Sequence, residues 1–536
     1  MRFQNMRFAR SAAFCRDRFA SIVSITVLLT VLGLVMATTI LSPLKDDVAW
    51  LLYVARNWLA GQRLYEDLIE VNPPLIIWLY AVPAAVAGWL NTPPKLIAVP
   101  MFATLMLASA WWCANLLRDQ GPLFARRTPV FAAIGIVLLA LPGVEFGQRE
   151  HLMSAALLPY LCLMAGWLDG QRERRFEAIA AGVLAGLGCA LKPTYGLAFL
   201  LPEAICFLAT RRIFRLAPVA AVTAAALYGA SVLLFCPAYL ARAVPLALAL
   251  YGGTDTPLWG LVVEGRTLVF GVVAASVLWA ISRTSDGLAP FSRKLMIILI
   301  SFAIGATICY LLQGKNWFYH RLPAITATVL ALVLWSAEML PRLRAASLLP
   351  RPKWPAAGLA CAALIAFVYA DIQRMRPWID EAIEPELSTE VRLEKIIRKE
   401  KVRTYVAFSE WIGLGFPVVN NTGVIWTSRF DSMWALKGEL WRARQDGRAP
   451  AQWPIRRWVA RDFITGCPDL VVVDVRGGGI NYVSVLVASD PAFAHVWTRY
   501  RQIALFNGLR VLKRDSADCG EAGPRPRMAA SDYEAP

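Results

Sequence analysis

The sequence predicts an all-α polytopic membrane protein with a small α/β domain at its C-terminal end. Three observations lead there. The 536 residues are 57% hydrophobic and only 17% charged, with a mean hydropathy of +0.49, whereas a soluble chain carries roughly 25% charged residues. Apolar runs of about 18 residues or more recur as far as residue 371, enough for about 11–13 transmembrane helices. From residue 372 the composition shifts to charged helical and short strand-like segments. The net charge of +17 raises nucleic acid as a partner. However, Arg and Lys cluster in short loops between apolar runs, a pattern that orients membrane helices and attracts anionic membrane lipids. No nucleic-acid partner is therefore expected.

Residues 1–21 form a basic N-terminus (Arg2, Arg7, Arg10, Arg16, Arg18) ahead of the first apolar run, Ile22 to Leu41. No small-residue cleavage site precedes Lys45, so an uncleaved first helix that starts in the cytoplasm is expected. Further spans are expected at roughly 75–90, 96–117, 128–142, 152–168, 177–191, 195–210, 216–236, 260–282, 295–312, 322–340 and 355–370. Loops rich in Arg and Lys run from Arg118 to Arg127, Arg172 to Arg175, Arg211 to Arg215, Arg283 to Lys294 and Arg342 to Lys353. With all five in the cytoplasm, loops 42–73, 143–151, 237–258 and 313–321, the Lys192-Pro193 corner and everything after 371 fall on the opposite side. That parity requires 75–90 to be a re-entrant or interfacial helix, which Pro73-Pro74 and Pro83 permit. The multi-span domain is thus 22–371.

Residues 372–514 read as the α/β domain. Glu384 to Lys401 is helix-like, Thr404 to Phe408 and Leu470 to Asp474 read as buried strands, and Ile503 to Leu512 reads as a hairpin around Asn507-Gly508. Cys467 and Cys519 are the cysteines of this part; they either pair in an oxidising compartment or stay as two thiols. Residues 515–536 are expected to be disordered. Most of the ten cysteines lie in apolar runs, as small apolar residues, and no Cys/His spacing suggests zinc.

Four constellations carry chemistry. Asp46 and Asp47 follow the first span, where carboxylates beside lipid are costly and by default functional; one can accept a proton from an attacking hydroxyl or amine. Asp46 can equally cap the amphipathic run from Val48 to Leu59. The same loop carries Arg56, Arg63, Tyr65-Glu66-Asp67 and Asn72-Pro73-Pro74. Next, Gln148-Arg149-Glu150-His151 offers a phosphate-binding arginine and a second acid/base or ion ligand, or else a salt bridge fixing a helix end. Lys192 before Pro193 interrupts an apolar stretch, either meeting a lipid phosphate or snorkelling to headgroups. Last, Gln313 to Arg321 gathers Lys315, Asn316, Trp317, Tyr319 and His320, suited to a sugar phosphate or to an interfacial aromatic belt. Arg429-Phe430 and Trp434 fit core packing better than an acceptor cleft.

These residues resemble a known family. Asp46-Asp47, Ala55-Arg56-Asn57, Gly61, Tyr65-Glu66-Asp67 and Asn72-Pro73-Pro74, with Ala185-Gly186-Leu187-Gly188 leading to Lys192-Pro193, look like the multi-span glycosyltransferases of the C superfamily (GT-C). Within it the branch is that of protein O-mannosyltransferases, aminoarabinose lipid A transferases and rhizobial lipopolysaccharide core transferases. The likeness covers the membrane part and is sharpest over 43–80. It implies transfer of a sugar from a polyprenyl-phosphate donor to a glycan, lipid or protein acceptor. The place would be the periplasmic face of a bacterial inner membrane, with the C-terminal domain periplasmic. Asp46 would stand at the general-base position, Asp47 at its partner acid, and Lys192 opposite the carrier phosphate.

Two departures qualify the likeness. Asn72 stands where such families often have a lysine before Pro-Pro, and the acid of that motif is shifted, with Val71 preceded by Glu70. Phosphate binding would then rest on Arg56, Lys192, Lys315 and Arg149, with Glu150, His151, His320, Gln313 and Asn72 as substrate contacts or a second acid/base. Metal dependence is left open: Asp46, Asp47, Glu150 and His151 are oxygen- and nitrogen-rich enough to permit a divalent cation. No Gly-rich nucleotide motif is present, and a lipid-activated sugar needs none. The competing classes are a flippase for lipid-linked sugars, expected to show broken helices in matching halves, and a non-catalytic membrane assembly subunit.

Overall fold

The computed structural model describes residues 2–283, 287–345, 354–446, 453–476 and 479–515. Apart from Asp515, the segment expected to be disordered lies outside them, as does Cys519. Among the described residues, eight helices are long and apolar enough to cross a membrane: Asp17–Leu41, Lys95–Leu117, Arg149–Leu168, Pro193–Thr210, Leu216–Phe235, Pro290–Gln313, Phe318–Arg342 and Pro355–Ile383. Leu258–Glu264 and Arg266–Ile281, bent by 68° at their junction, make a ninth if they are one span. The sequence-based count is higher because Arg175–Leu191, expected as a span at 177–191, is a helix of 17 residues, and the apolar helices Pro74–Trp89 and Arg127–Ala140 have only 16 and 14. The last two are shorter than a straight crossing needs.

The chain divides into two compact units, the first comprising residues 1–39, 99–229 and 256–377 and the second 40–98, 230–255 and 378–536. The core of the first unit is three mutually packed helices, Arg149–Leu168, Pro290–Gln313 and Leu322–Ala345. Most of their apolar side chains are buried, with Ile308 and Leu312 left exposed near the end of Pro290–Gln313, as expected of helices largely enclosed by others. By contrast Asp17–Leu41 keeps Ile22, Leu29 and Leu34 exposed, a surface suited to lipid. Gly182 and Gly186 make a Gly-x-x-x-Gly seam on Arg175–Leu191. A Cβ on either would come within 2.3 and 2.2 Å of the Ala217 and Ala221 carbonyl oxygens, so bare backbone lets the two helices touch. Arg175–Leu191 ends at Lys192, which is extended at φ −150° and ψ 89°. Pro193 then opens the 3₁₀ turn Pro193–Phe199, so the apolar stretch is broken there.

The second unit is built on a five-stranded sheet of order β2-β1-β3-β5-β4. The strands are β1 (Thr404–Phe408), β2 (Ile425–Trp426), β3 (Leu470–Asp474), β4 (Tyr500–Phe506) and β5 (Leu509–Arg514). β1 pairs in parallel with β2 and β3, and β5 joins β3 and β4 antiparallel. β1 is buried along its whole length, and β3 except at Asp474, which explains their unbroken apolar sequences. Asn507 and Gly508 turn the β4–β5 hairpin with φ of 48° and 69°, the left-handed values a two-residue turn requires. Ser388 caps the helix Thr389–Lys399 through the Val391 N–H. Cys467 is disulfide-bonded.

The first loop belongs to this same unit. Its helix, Asp46–Leu59, buries Val48 to Ala55. Trp50 and Tyr53 pack on Phe416 with ring centroids 4.8 and 5.0 Å away. Asn420 donates to the Ala49 carbonyl at 3.0 Å, and the Ile69 N–H donates to the Arg429 carbonyl at 2.8 Å.

Candidate active site

Asp46 and Asp47 are the first two residues of their helix; Lys45 precedes it without a side-chain cap. The Asp46 carboxylate accepts the Asp47 N–H at 2.9 Å and meets the Lys45 ammonium at 3.0 Å. It thus serves the helix end from inside the first turn, where a negative charge is favoured. Asn72 presents its N–H to Glu70 at 2.7 Å and its carbonyl to the Tyr65 hydroxyl at 2.7 Å. Glu70 is 3% exposed and also accepts the Trp50 indole N–H. Glu70 is therefore held by the Asp46–Leu59 helix and by the Asn72 backbone.

A further acid joins this loop. Asp431 keeps some surface in solvent, yet burial, and then the charges of Glu70 and Asp47, hold its carboxyl well above the usual range. Its position is fixed by neighbours. Arg429 gives its backbone N–H and guanidinium to Asp462, the pair being 1% and 2% exposed, and the Phe430 carbonyl accepts the Trp426 indole N–H at 2.8 Å. Arg429, Phe430 and Trp434 are buried, in keeping with core packing. Nothing local in the sequence marks Asp431, and Glu70 stands out only through its distance from Asn72-Pro73-Pro74. Arg56 lies exposed in the last turn of the same helix, 5.8 Å from the Tyr53 ring. Burial pushes the Tyr53 hydroxyl up to about 12, against the pull of Arg56.

In the first unit, five of the expected residues come together. Glu150 is fully buried, and its Oε1 accepts the Lys192 ammonium at 2.5 Å and lies 3.7 Å from His320 Nε2. The charges of Lys192 and Arg149 bear on Glu150, and those of Lys192, Arg149, Lys315 and Arg321 on His320. The cations lie against aromatic rings: Arg149 and Lys192 are 6.0 and 5.7 Å from Tyr319, and Lys315 is 6.0 Å from Trp317. Tyr195 donates to the His320 carbonyl. Among the described residues, neither His320 nitrogen nor Glu150 Oε2 has a hydrogen-bond partner, although both side chains are at least 97% buried.

The other two expected residues play different parts. His151 is engaged by backbone on both ring nitrogens, accepting the Gly147 N–H at 3.0 Å and meeting the Leu138 carbonyl at 2.8 Å. That leaves it little room to act as an acid or base. Gln313 ends its helix and donates to the Cys309 carbonyl at 2.9 Å. Among the described residues, no group of three or more His, Cys, Asp and Glu is arranged to hold a metal ion. The first unit thus gathers cations round one carboxylate at helix ends, and the second gathers carboxylates on the first loop.

No protein-family model matches the chain, and no curated protein matches it either.

Proposed function

We propose that the chain is a GT-C-type membrane glycosyltransferase. It would move a sugar from a polyprenyl-phosphate donor to an acceptor at the periplasmic face of a bacterial inner membrane. The acceptor would be lipopolysaccharide, another envelope glycan, or protein. The observation that carries the proposal is the buried group Arg149, Lys192, Lys315 and His320 around Glu150. Cations at helix ends with an unpartnered imidazole suit a phosphate, whose oxygens accept from all of them. The loop of sharpest resemblance carries the carboxylates Asp46 and Asp47 at a helix start.

The reaction is a single displacement with inversion. The acceptor oxygen or nitrogen bonds to the anomeric carbon as the bond from that carbon to the phosphate oxygen breaks. Asp46 takes the acceptor proton, and the electron pair leaves with the carrier phosphate. Asp47 shares the negative end of the site.

The test compares wild type with Asp46→Asn and Asp47→Asn in the native membrane, scoring sugar mass shifts on lipopolysaccharide and envelope proteins by mass spectrometry. A shift present in wild type and lost in a variant of equal abundance supports the transferase and names its acceptor. A full shift in both variants removes the carboxylates from the mechanism. Two helix interruptions, the 68° bend at Gly265 and the Lys192 corner, favour a second function, translocation of a lipid-linked sugar, because transporters bind substrate where helices break. No sugar shift in any strain, with lipid-linked sugar accumulating on one membrane face, would establish it.

A further inference from the structure

The sheet of the second unit has a place where its connections part. After β1 the chain turns toward β2 on one side, and after β3 it runs through two helices toward β4 on the other. A crevice outside the carboxyl ends of parallel strands that diverge in this way is where open α/β sheets bind ligands. Here those ends carry Ser409, Glu410 and Trp411 after β1, and Asp474 and Arg476 at and beyond the end of β3.

These side chains form one surface patch. The Arg476 guanidinium lies 5.0 Å over the Trp411 ring and donates to Asp474 at 2.9 Å. Asp474 also accepts the Ser409 hydroxyl at 2.8 Å. Glu410 accepts the Tyr482 hydroxyl at 2.8 Å and the Lys437 ammonium at 2.6 Å. Two glycines make room for the stacked pair. A Cβ on Gly413 would come within 2.5 Å of the Trp411 ring, and one on Gly508 within 2.6 Å of Arg476 Cγ. The half-buried indole and the guanidinium, 46% exposed, are thus seated by backbone rather than lying loose.

The chemistry of the patch selects a ligand class. Two carboxylates and two cations balance, so neither a phosphate nor a cationic ligand gains from net charge. Burial would raise Asp474, but hydrogen bonds from Arg476 and Ser409 outweigh it and keep the carboxyl below its ordinary range, so it stays an acceptor. A carboxylate has about four lone-pair directions: those of Asp474 are taken by the Arg476 backbone N–H, its guanidinium and the Ser409 hydroxyl, whereas Glu410, with one contact on each oxygen, keeps some open. The patch therefore offers the Glu410 carboxylate as acceptor beside a planar aromatic and guanidinium face, and it calls for a neutral partner with hydroxyl donors and apolar C–H faces.

We propose that this patch binds neutral sugar units of a glycan chain. If the transferase function holds, that chain is the acceptor, gripped at a distance from its reacting end. The experiment uses the full chain in lipid nanodiscs with saturation-transfer NMR on mannobiose, galactobiose and maltotriose. At least one probe is expected to bind wild type, with ring C–H protons receiving most of the transfer. Trp411→Ala and Glu410→Gln should each weaken that binding at least about fivefold, Trp411→Phe less, and Arg501→Ala on the edge strand β4 not at all. Asp46→Asn should retain full binding, so loss of transfer and loss of the patch are read separately. Failure of all three probes on wild type, or equal binding by Trp411→Ala and wild type, would overturn the proposal.

Discussion

Removing the Asp462 carboxylate should loosen the second unit more than any exposed substitution, because the Arg429 charge would be left in the interior. The Arg429 and Asp462 side chains are 1% and 2% exposed. The guanidinium reaches Oδ1 at 2.7 Å through a terminal nitrogen and Oδ2 at 3.0 Å through Nε, and the Arg429 backbone N–H reaches Oδ2 at 3.0 Å. Breaking a buried pair from one side costs about 3–5 kcal/mol, whereas replacing both partners by apolar groups of similar volume is often neutral. Asp462→Ala should therefore cost about 3–5 kcal/mol, roughly 6–20 °C in Tm at the 2–4 °C per kcal/mol usual for a unit of this size. Asp462→Leu with Arg429→Met should recover most of the loss. Hydrogen exchange of the full chain in detergent is the better assay, since two units need not unfold together. Because the Ile69 N–H bonds the Arg429 carbonyl, protection should fall at 69 and through the 428–432 turn in Asp462→Ala. Unchanged exchange there, or a double variant no more stable than the single one, would refute this account of the turn.

Two further outcomes are expected. Lys192→Met leaves Glu150 buried with only Arg149 to balance it, so it should destabilise by about 3 kcal/mol; Lys192→Met with Glu150→Leu should restore the melting temperature without restoring sugar transfer. Recovery of both would make the pair purely structural. Asp431→Asn should change the pH dependence of stability. The Asp431 carboxyl is held above its ordinary range, so folded protein keeps a proton that unfolded chain has released above about pH 3.9. That contribution is complete at low pH and is lost as pH rises through the folded value. Wild type and Asp431→Asn should melt alike near pH 4, and the variant should gain progressively toward neutral pH. A constant offset in melting temperature across that window would show that Asp431 does not carry the proton.

Much of the secondary structure is legible in the sequence for identifiable reasons. β1 and β3 hold the apolar runs 405–408 and 470–473, bounded by polar residues, and Asn507-Gly508 has few conformations besides a tight turn. The Lys192-Pro193 break is legible because proline cannot continue the preceding helix. The number of spans is less so: hydropathy registers Pro74–Trp89 and Arg127–Ala140 as apolar but says little about where their helices end. Asp431 is illegible for a different reason. It reaches the first loop through the Ile69–Arg429 backbone bond and the Arg429–Asp462 pair, contacts between segments far apart in the chain that leave no local pattern. Glu70 lies two residues from a legible motif, yet it takes the folded chain, with the Trp50 indole and the Asn72 N–H on its carboxylate, to show that it is held in place.

The cation group in the first unit bears on a choice that the sequence leaves open. A salt bridge at a helix end and a phosphate site look like rival accounts of Glu150 and Lys192 when each residue is weighed separately. In the folded chain they are partners, so a phosphate approaching Lys192 must compete with Glu150 for the same ammonium. A buried ion pair contributes little net stability over an apolar pair of the same volume, so stability alone is a weak reason to place these charges among apolar helices. His320, 3.7 Å from the same carboxylate oxygen and unpartnered on both nitrogens among the described residues, adds a second cost that no internal contact offsets. On the function proposed above, an arrangement with two such costs makes physical sense: the carboxylate would hold the lysine in position until the carrier phosphate replaced it.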